Sequence, residues 1–339
     1  MKKASIQDIA DRLGVSKALV SFVLNGKGKE KRISGQMIRK VFDVAKELNY
    51  RPNQVAKWFR TGKTQTIGLI IADISNPFFG KLGREIEREA SRKDYKIIFC
   101  SSDENPDKFE EQLEMLVKSQ VDGFIIAPPQ GSNPQIEALT KAKMPYVLID
   151  RYFQEIDSNY VIINNYTASY NATKHLLDKG YRNIAFLTVN DELITMHSRT
   201  EGYLQAMRDT GIEPPGDYIY KLPFSHEKED VCNAIKQLVS MEDHLEGILF
   251  SSSKIGLMGL EVISELGLNV PDDLAVVSFD DPDFFKVCFS PVTAIAQPIE
   301  EMGRKAVQIL IREIESGKIS TPSKKIMLET NFIVRKSSG

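Results

Sequence analysis

The run Lys57-Trp58-Phe59-Arg60 sets two aromatic rings between two cations. Cations of this kind neutralise phosphates. The segment lies between a turn signal at 49–52 and the breaker Gly62-Lys63-Thr64, and is too short to bury both rings by itself. A second set suited to nucleic acid lies upstream. Lys17, Ala18, Ser21 and Phe22 fall on or near the outward side of a short apolar-faced segment whose first residues could meet base edges in a major groove. Catalytic patterns are absent from the sequence: there is no GxGxxG, P-loop, HExxH or GxSxG, and Gly26-Lys27-Gly28-Lys29 follows no strand. His175, His197, His226 and His244 show no metal spacing, and the side chains of Asp280 and Asp281 would diverge in an extended segment. No catalytic residue, metal site or cofactor is expected, and the chain reads as no enzyme.

The elements that must carry these side chains are legible in the periodicity. Ile6, Ile9, Ala10 and Leu13 recur at helical spacing, Gly14 breaks the run, and Ser16 can cap a second helix with Val20, Val23 and Leu24 on its apolar face. A third stretch, 37–48, adds Ile38, Val41, Val44, Ala45 and Leu48. Beyond Lys63 the pattern changes to apolar runs at 67–71, 96–100, 123–127 and 146–149, interleaved with helical stretches near 79–92, 106–119 and 134–142. A second series of runs follows at 160–163, 184–187, 218–222, 248–250 and 275–279, which predicts two parallel-sheet halves.

Composition agrees with this division. The 339 residues exceed one ordinary core, and a net charge of -2 conceals a strong polarity. Residues 1–63 hold fifteen Lys or Arg against five Asp or Glu, whereas the rest hold twenty-nine against forty-one. A basic head on an acidic body favours a nucleic-acid partner for the head. Cys100, Cys232 and Cys288 are odd in number and far apart, so neither a disulfide framework nor a zinc site is expected. No stretch suits a signal peptide or a membrane span, and the expected location is the cytoplasm.

The segment IQDIADRLGVSKALVSFVLNGKG resembles the headpiece of the lac repressor (LacI/GalR) family, with its I-x-D-I-A-x-x-x-G-V-S-x-x-x-V-S-x-V-L-N-G pattern. The similarity continues through LNYRPNQVAKWFRTGKTQTIGLIIADISNPFF, VPDDLAVVSFDD and TAIAQPIEEMG, and so covers nearly the whole chain. Two departures stand out: Phe22 replaces a common Arg, and NGKGKEKRIS is longer than the usual loop. The resemblance implies a small all-α helix-turn-helix headpiece plus an α/β periplasmic-binding-protein-like body of two parallel-sheet subdomains. The implied divisions are a headpiece at 1–50, a hinge helix and linker at 51–63, an N-terminal subdomain at 64–163 plus 295–324, and a C-terminal one at 164–294 plus 325–339.

By the same resemblance Phe59 is the minor-groove wedge of a hinge helix that folds on the operator, and Asn25, Asn53, Ala56 and Lys57 join the DNA-facing set. Eight or nine residues cannot hold a helix alone in water, which makes such conditional folding physically reasonable. The cleft between subdomains is implied to take a small effector, a sugar, sugar acid or sugar phosphate, through Asp73, Phe79, Asp150, Arg199, Phe224, Asp280 and Gln297. Arg199 is nominated by RTEGY, which is similar to the family's R-x-x-G-F. Where relatives commonly show F-x-x-N-D-x-x-A-x-G, this chain has FSSSKIGLMG, with Ser253 and Lys254 at the Asn and Asp positions. A lysine buried without a partner would be costly, so an acidic effector is expected. A homodimer on a pseudo-palindromic operator, probed by two headpieces, completes the implied picture.

Overall fold

The computed structural model describes residues 4–50, 62–189, 193–213, 218–223, 227–241, 244–317 and 322–339. Two compact units result, Met1–Thr64 and Gln65–Gly339.

In the first unit α1 (Ile6–Leu13), α2 (Lys17–Leu24) and α3 (Gly35–Glu47) enclose Ile9, Ala10, Val20, Val23, Val41 and Ala45. Ser5 and Asp8 form a capping box at the start of α1, and Gly14, at φ 65°, ends it in the left-handed region. Ser16 Oγ accepts from Leu19 N to open α2, so only Val15 separates the stop at Gly14 from the next cap. The third helix begins two residues before the apolar pattern does, because Ser34 Oγ accepts from Met37 N. The long connection after α2 is pinned at Gly28, where a Cβ would lie 2.9 Å from Ile38 Cδ1.

The second unit holds two six-stranded sheets. The first contains β1 (Thr66–Ile71), β2 (Lys96–Ser101), β3 (Gly123–Ile126), β4 (Tyr146–Ile149) and β5 (Tyr160–Ile163). The second contains β6 (Ile184–Val189), β7 (Ile219–Leu222), β8 (Gly247–Phe250), β9 (Ala275–Phe279) and β10 (Thr293–Ala296). With β11 (Lys325–Leu328) and β12 (Asn331–Ile333), the orders are β11-β5-β4-β3-β1-β2 and β12-β10-β9-β8-β6-β7. The two sheets therefore repeat one topology; all pairings are parallel except β10 with β12. Strands such as β1 are buried on both faces, which is why they read as continuous apolar runs rather than alternating ones.

Two expected boundaries move. Lys325–Leu328 hydrogen-bonds beside β5 in the first sheet, not the second, and β10 stays in the second sheet to Ala296. Only the three residues of β12 return to the second half. Between β10 and β11 runs α12 (Ile299–Ser316), which packs on α4 (Pro77–Ser91) of the first half. The body's further helices are α5 (Pro106–Lys118), α6 (Asn133–Lys141), α7 (Asn165–Asp178), α8 (Ile194–Asp209), α9 (Lys228–Val239), α10 (Ser253–Glu265) and the short α11 (Asp283–Val287). Among the described residues no helix is long and apolar enough to cross a membrane.

Candidate functional site

In the headpiece Lys17 and Ala18 open α2 and are exposed, Ser21 is half-buried, and Asn25, just past the helix, donates from Nδ2 to Ser21 O at 2.6 Å. Phe22 remains 36% exposed, and Lys31 Nζ from the long loop sits 5.4 Å from its ring centroid. The ring thus carries a cation from the connection into the face of α2, a cation–π contact that neither departure announces alone. Asn53, Ala56, Lys57 and Phe59, with Trp58, lie outside the described residues, as does Phe224.

In the body the strand ends converge. β4 and β9 occupy equivalent places in the two sheets, and each is followed by an aspartate in the left-handed region, Asp150 at φ 71° and Asp280 at φ 65°. Each sends its amide to the next strand, Asp150 N to Val161 O and Asp280 N to Ile295 O. Short Asp side chains tolerate this conformation, and the kink turns both carboxyls off the sheet at its carboxyl end, where α/β clefts bind ligands. Both residues are 7% exposed.

Arg199 lies near both carboxylates and is itself buried, on α8. Its Nε donates to Asn165 Oδ1 at 2.8 Å, an Nη donates to Ser251 O at 2.5 Å, and its guanidinium stacks 3.9 Å above the Phe279 ring. The glycine of RTEGY explains the reach. A Cβ on Gly202 would lie 2.2 Å from Tyr166 O, so only glycine lets α8 approach α7 closely enough for Arg199 to meet Asn165 at the start of α7. Burial pulls the Arg199 pKa down, against the favourable pull of Asp280 and Asp150. A guanidinium nevertheless stays charged.

Asp280 accepts from Gln297 Nε2 at 2.7 Å through one oxygen and from Ser253 Oγ at 3.1 Å through the other, at the first residue of α10. Asp150 is less well served. Arg151 commits its fork to Glu104, with contacts of 2.7 and 2.9 Å, and offers Asp150 only a 3.4 Å contact from Nε. Burial accordingly pushes the Asp150 carboxyl above the usual range despite Arg151 and Arg199, with Asp280 adding like charge. Burial also works against the charge of Arg151, but Glu104 and Asp150 outweigh it and raise its pKa. The opposite balances follow from geometry: Arg151 has two firm carboxylate contacts, whereas Asp150 has a single long one.

Gln297 Oε1, Thr195 Oγ1 and Ser251 Oγ are buried without a hydrogen-bond partner among the described residues. A cavity of about 140 Å³ is lined by Phe78, Ser253, Asp280 and Gln297. The structure thus brings Asp150, Arg199, Ser253, Asp280 and Gln297 into one cluster, with two carboxylates around a single guanidinium.

Two expectations need correction. Phe79 is 4% exposed and packs in the main apolar core, edge-on to Phe78 at 5.0 Å, and it is Phe78 that lines the cavity. Lys254 is not buried without a partner: its side chain is 40% exposed and its Nζ stands 3.8 Å from Asp73 of the opposite subdomain. The premise for an anionic effector is thereby removed. Asp73 also accepts from Ser75 N and Ser75 Oγ at 2.8 and 2.6 Å. The sequence reading missed Arg151, Glu104 and Asn165; only Arg151 carried a signal, its place directly after a strand-end aspartate. No group of metal-ligating side chains occurs among the described residues.

Residues 5–53 match the bacterial regulatory proteins of the lacI family, and residues 173–338 match the periplasmic binding protein-like domain. The chain is 31% identical over 335 residues to the HTH-type transcriptional regulator RegA of Clostridium saccharobutylicum, covering 98% of this chain and 99% of that protein. It is 32% identical to the sucrose operon repressor of Pediococcus pentosaceus over 95% of this chain and 96% of that one. Among solved structures, the complex of the transcriptional regulator CelR with cellobiose superposes with a TM-score of 0.73 at 25% identity, covering 99% of this chain and 100% of that chain. A regulator from Enterococcus faecium with bound ribose gives 0.71 at 28% identity over 80% of this chain and 98% of that one.

Proposed function

We infer the function from membership of the lacI family of bacterial regulatory proteins, to which this chain belongs: it is a DNA-binding transcriptional regulator whose body binds an effector. It is not an enzyme. Within that role we read it as a repressor of carbohydrate-utilisation genes, working in the cytoplasm and controlled by a neutral, polyhydroxylated effector.

The observation that carries the neutral effector is the placement of two buried carboxylates, Asp150 and Asp280, around one buried guanidinium. Sugar hydroxyls donate to carboxylates and accept from guanidinium, so they suit every member of the cluster. An added anion would meet like charges, and at an effective dielectric of about 20 a repulsion at roughly 4 Å amounts to about 4 kcal/mol. The sugars named for related regulators, sucrose for one and bound cellobiose or ribose for two structures, support the same chemistry.

The exposed face of α2 with Lys17, Ala18, Ser21 and Phe22 would read a half-site, with Asn25 beside it. Asn53, Ala56, Lys57 and the wedge Phe59 would follow in the hinge. Two copies would pair through a surface that includes Val287 and Phe289, 82% and 97% exposed, and the operator would then be pseudo-palindromic. A gel shift on the DNA flanking the encoding gene, with and without neutral sugars, tests the proposal. The full chain should shift that DNA, a chain starting at Gln65 should not, and a sugar that raises the melting temperature should change the shift. Binding by the truncated chain, or stabilisation by sugar acids alone, would contradict it.

A further inference from the structure

The two departures of the headpiece from the family pattern, Phe22 and the long connection after α2, meet in space. The end of α2 fixes the course of that connection. Gly26, at φ 74°, donates from N to Val23 O at 3.0 Å, and Lys27 N donates to Phe22 O at 2.9 Å. This pair of bonds requires a left-handed residue, which glycine supplies without strain. It folds the chain back over the last turn of the helix, where Phe22 stands.

The loop beyond is closed by its own backbone. Lys31 N donates to Lys27 O at 2.9 Å, Arg32 N to Lys29 O at 3.0 Å and Ile33 N to Gly28 O at 2.9 Å. Gly28 is buried beside Ile38 and Val23, and Ile33 packs on the headpiece core, so both feet of the loop are anchored in apolar contacts. Its crown carries Lys29, Glu30, Lys31 and Arg32, all exposed.

Residues 26–33 hold four cations, Lys27, Lys29, Lys31 and Arg32, against the one acid Glu30. Like charges crowded on so short a loop repel one another, and a nearby polyanion turns that cost into attraction. Among the described residues no carboxylate pairs with Lys31, although Glu30 is its neighbour in sequence. Its ammonium stands instead 5.4 Å from the centroid of the Phe22 ring, within the reach of a cation–π contact. A ring attracts the charge without cancelling it, as a carboxylate would. Lys31 is thus positioned and still fully charged toward a partner.

We propose that Lys31, held on the Phe22 ring, is a DNA-phosphate contact of this headpiece, which Phe22 and the longer connection make together. The proposal rests on the reading that the outward face of α2 meets operator DNA, and adds to it a cation from outside the helix. The first residues of such a helix approach base edges. Phe22 lies on the last turn and the loop beyond it, so Lys31 falls where the groove gives way to the backbone. A phosphate contact carries no sequence information. It adds affinity and fixes how α2 docks, while Lys17, Ala18 and Ser21 face the bases.

Fluorescence anisotropy of the full chain on a labelled duplex from the DNA flanking the encoding gene, at salt from about 50 to about 200 mM, tests it. Lys31→Ala should make the plot of log affinity against log salt shallower by about 0.9 per bound headpiece and weaken binding severalfold at the low-salt end. Lys31→Arg, which keeps the charge and stacks on an aromatic face, should keep the wild-type slope. Phe22→Leu keeps apolar bulk without the π face, so in that background Lys31→Ala should remove less slope than it does from the wild type. Lys29→Ala, an equal change of charge, should have the same effect in both backgrounds. The substituted side chains are exposed, and thermal melts check that each variant is folded. An unchanged slope for Lys31→Ala overturns the phosphate contact, and an equal loss in both backgrounds overturns the role of the ring. Failure of the wild-type chain to bind this duplex or an unrelated one at any salt overturns the DNA-binding reading, and this proposal falls with it.

Discussion

Asp280→Asn isolates the carboxylate at the centre of the cluster. Asp280 sits at φ 65°, a conformation Asn shares readily, so the backbone should be retained. Alanine would add strain of about 1–2 kcal/mol in the left-handed region and confuse folding with binding. The amide keeps one acceptor oxygen, but its NH₂ must face either Gln297 Nε2, now 2.7 Å from one oxygen, or Ser253 Oγ, 3.1 Å from the other. Arg199 also loses one of its two nearby carboxylates. A hydrogen bond to a charged group is worth about 1.5–3 kcal/mol. Loss of one such bond from a sugar hydroxyl to the carboxylate should therefore weaken binding by roughly tenfold to 150-fold. Calorimetry with whichever neutral sugar binds the wild type most tightly measures this, and a thermal melt confirms that the variant is folded. A second signature is electrostatic: with the like charge gone, the Asp150 pKa, which Asp280 helps to raise, should move down. A folded variant whose sugar affinity is unchanged would refute the placement of the effector at this carboxylate.

Lys254→Met should change the affinities of a neutral sugar and of the matching sugar acid by no more than about fivefold, since an ion pair this exposed contributes about 0.2–1 kcal/mol. A loss above tenfold for the acid alone, by calorimetry, would restore an anionic effector. His175 touches Ser338 Oγ at 2.8 Å and packs edge-on to Phe332, with Lys179 and Asp178 nearby. Burial, with Lys179, holds its pKa below 6.5, so the unfolded chain takes up the proton first. The stability it contributes is complete above 6.5 and is lost as pH falls from that value toward the lower folded one. Melting temperatures from about pH 7 to about pH 5 should thus drop less for His175→Gln than for wild type, and equal drops would contradict the assignment. Phe289→Asp should convert a dimer into monomers at micromolar concentration by light scattering and leave sugar affinity intact, and a persistent dimer would move the interface elsewhere.

Local pattern was sufficient wherever a residue's environment depends on its near neighbours. The spacing of Ile6, Ile9, Ala10 and Leu13, closed by Gly14 and followed by the cap Ser16, specifies a helix, a turn and a second helix through bonds made within a few residues. The apolar runs of both sheets are legible for a similar reason, since strands buried on both faces have no polar side to alternate with. The resemblance also nominated Asp150, Arg199, Asp280 and Gln297, which the fold gathers around Arg199.

What depended on distant chain was decided only by the tertiary structure. Phe78 and Phe79 are adjacent on α4 and both sit in the main core, and only the assembled fold makes Phe78 the ring that borders the smaller cavity. Lys254 finds Asp73, 181 positions away, because two subdomains close on each other, and no local rule assigns that pair. Lys325–Leu328 joins the first sheet because β5 offers an open edge in parallel register, a property of the assembled sheet and not of the four residues. Arg151 spends its charge on Glu104 instead of on adjacent Asp150, since its fork fits the more distant carboxylate with two contacts and the nearer with one. Residue types and periods determine which elements form and which side chains can do chemistry. Partner choice, burial and the charge left over for a ligand arise only when elements far apart in the chain compete for the same polar groups.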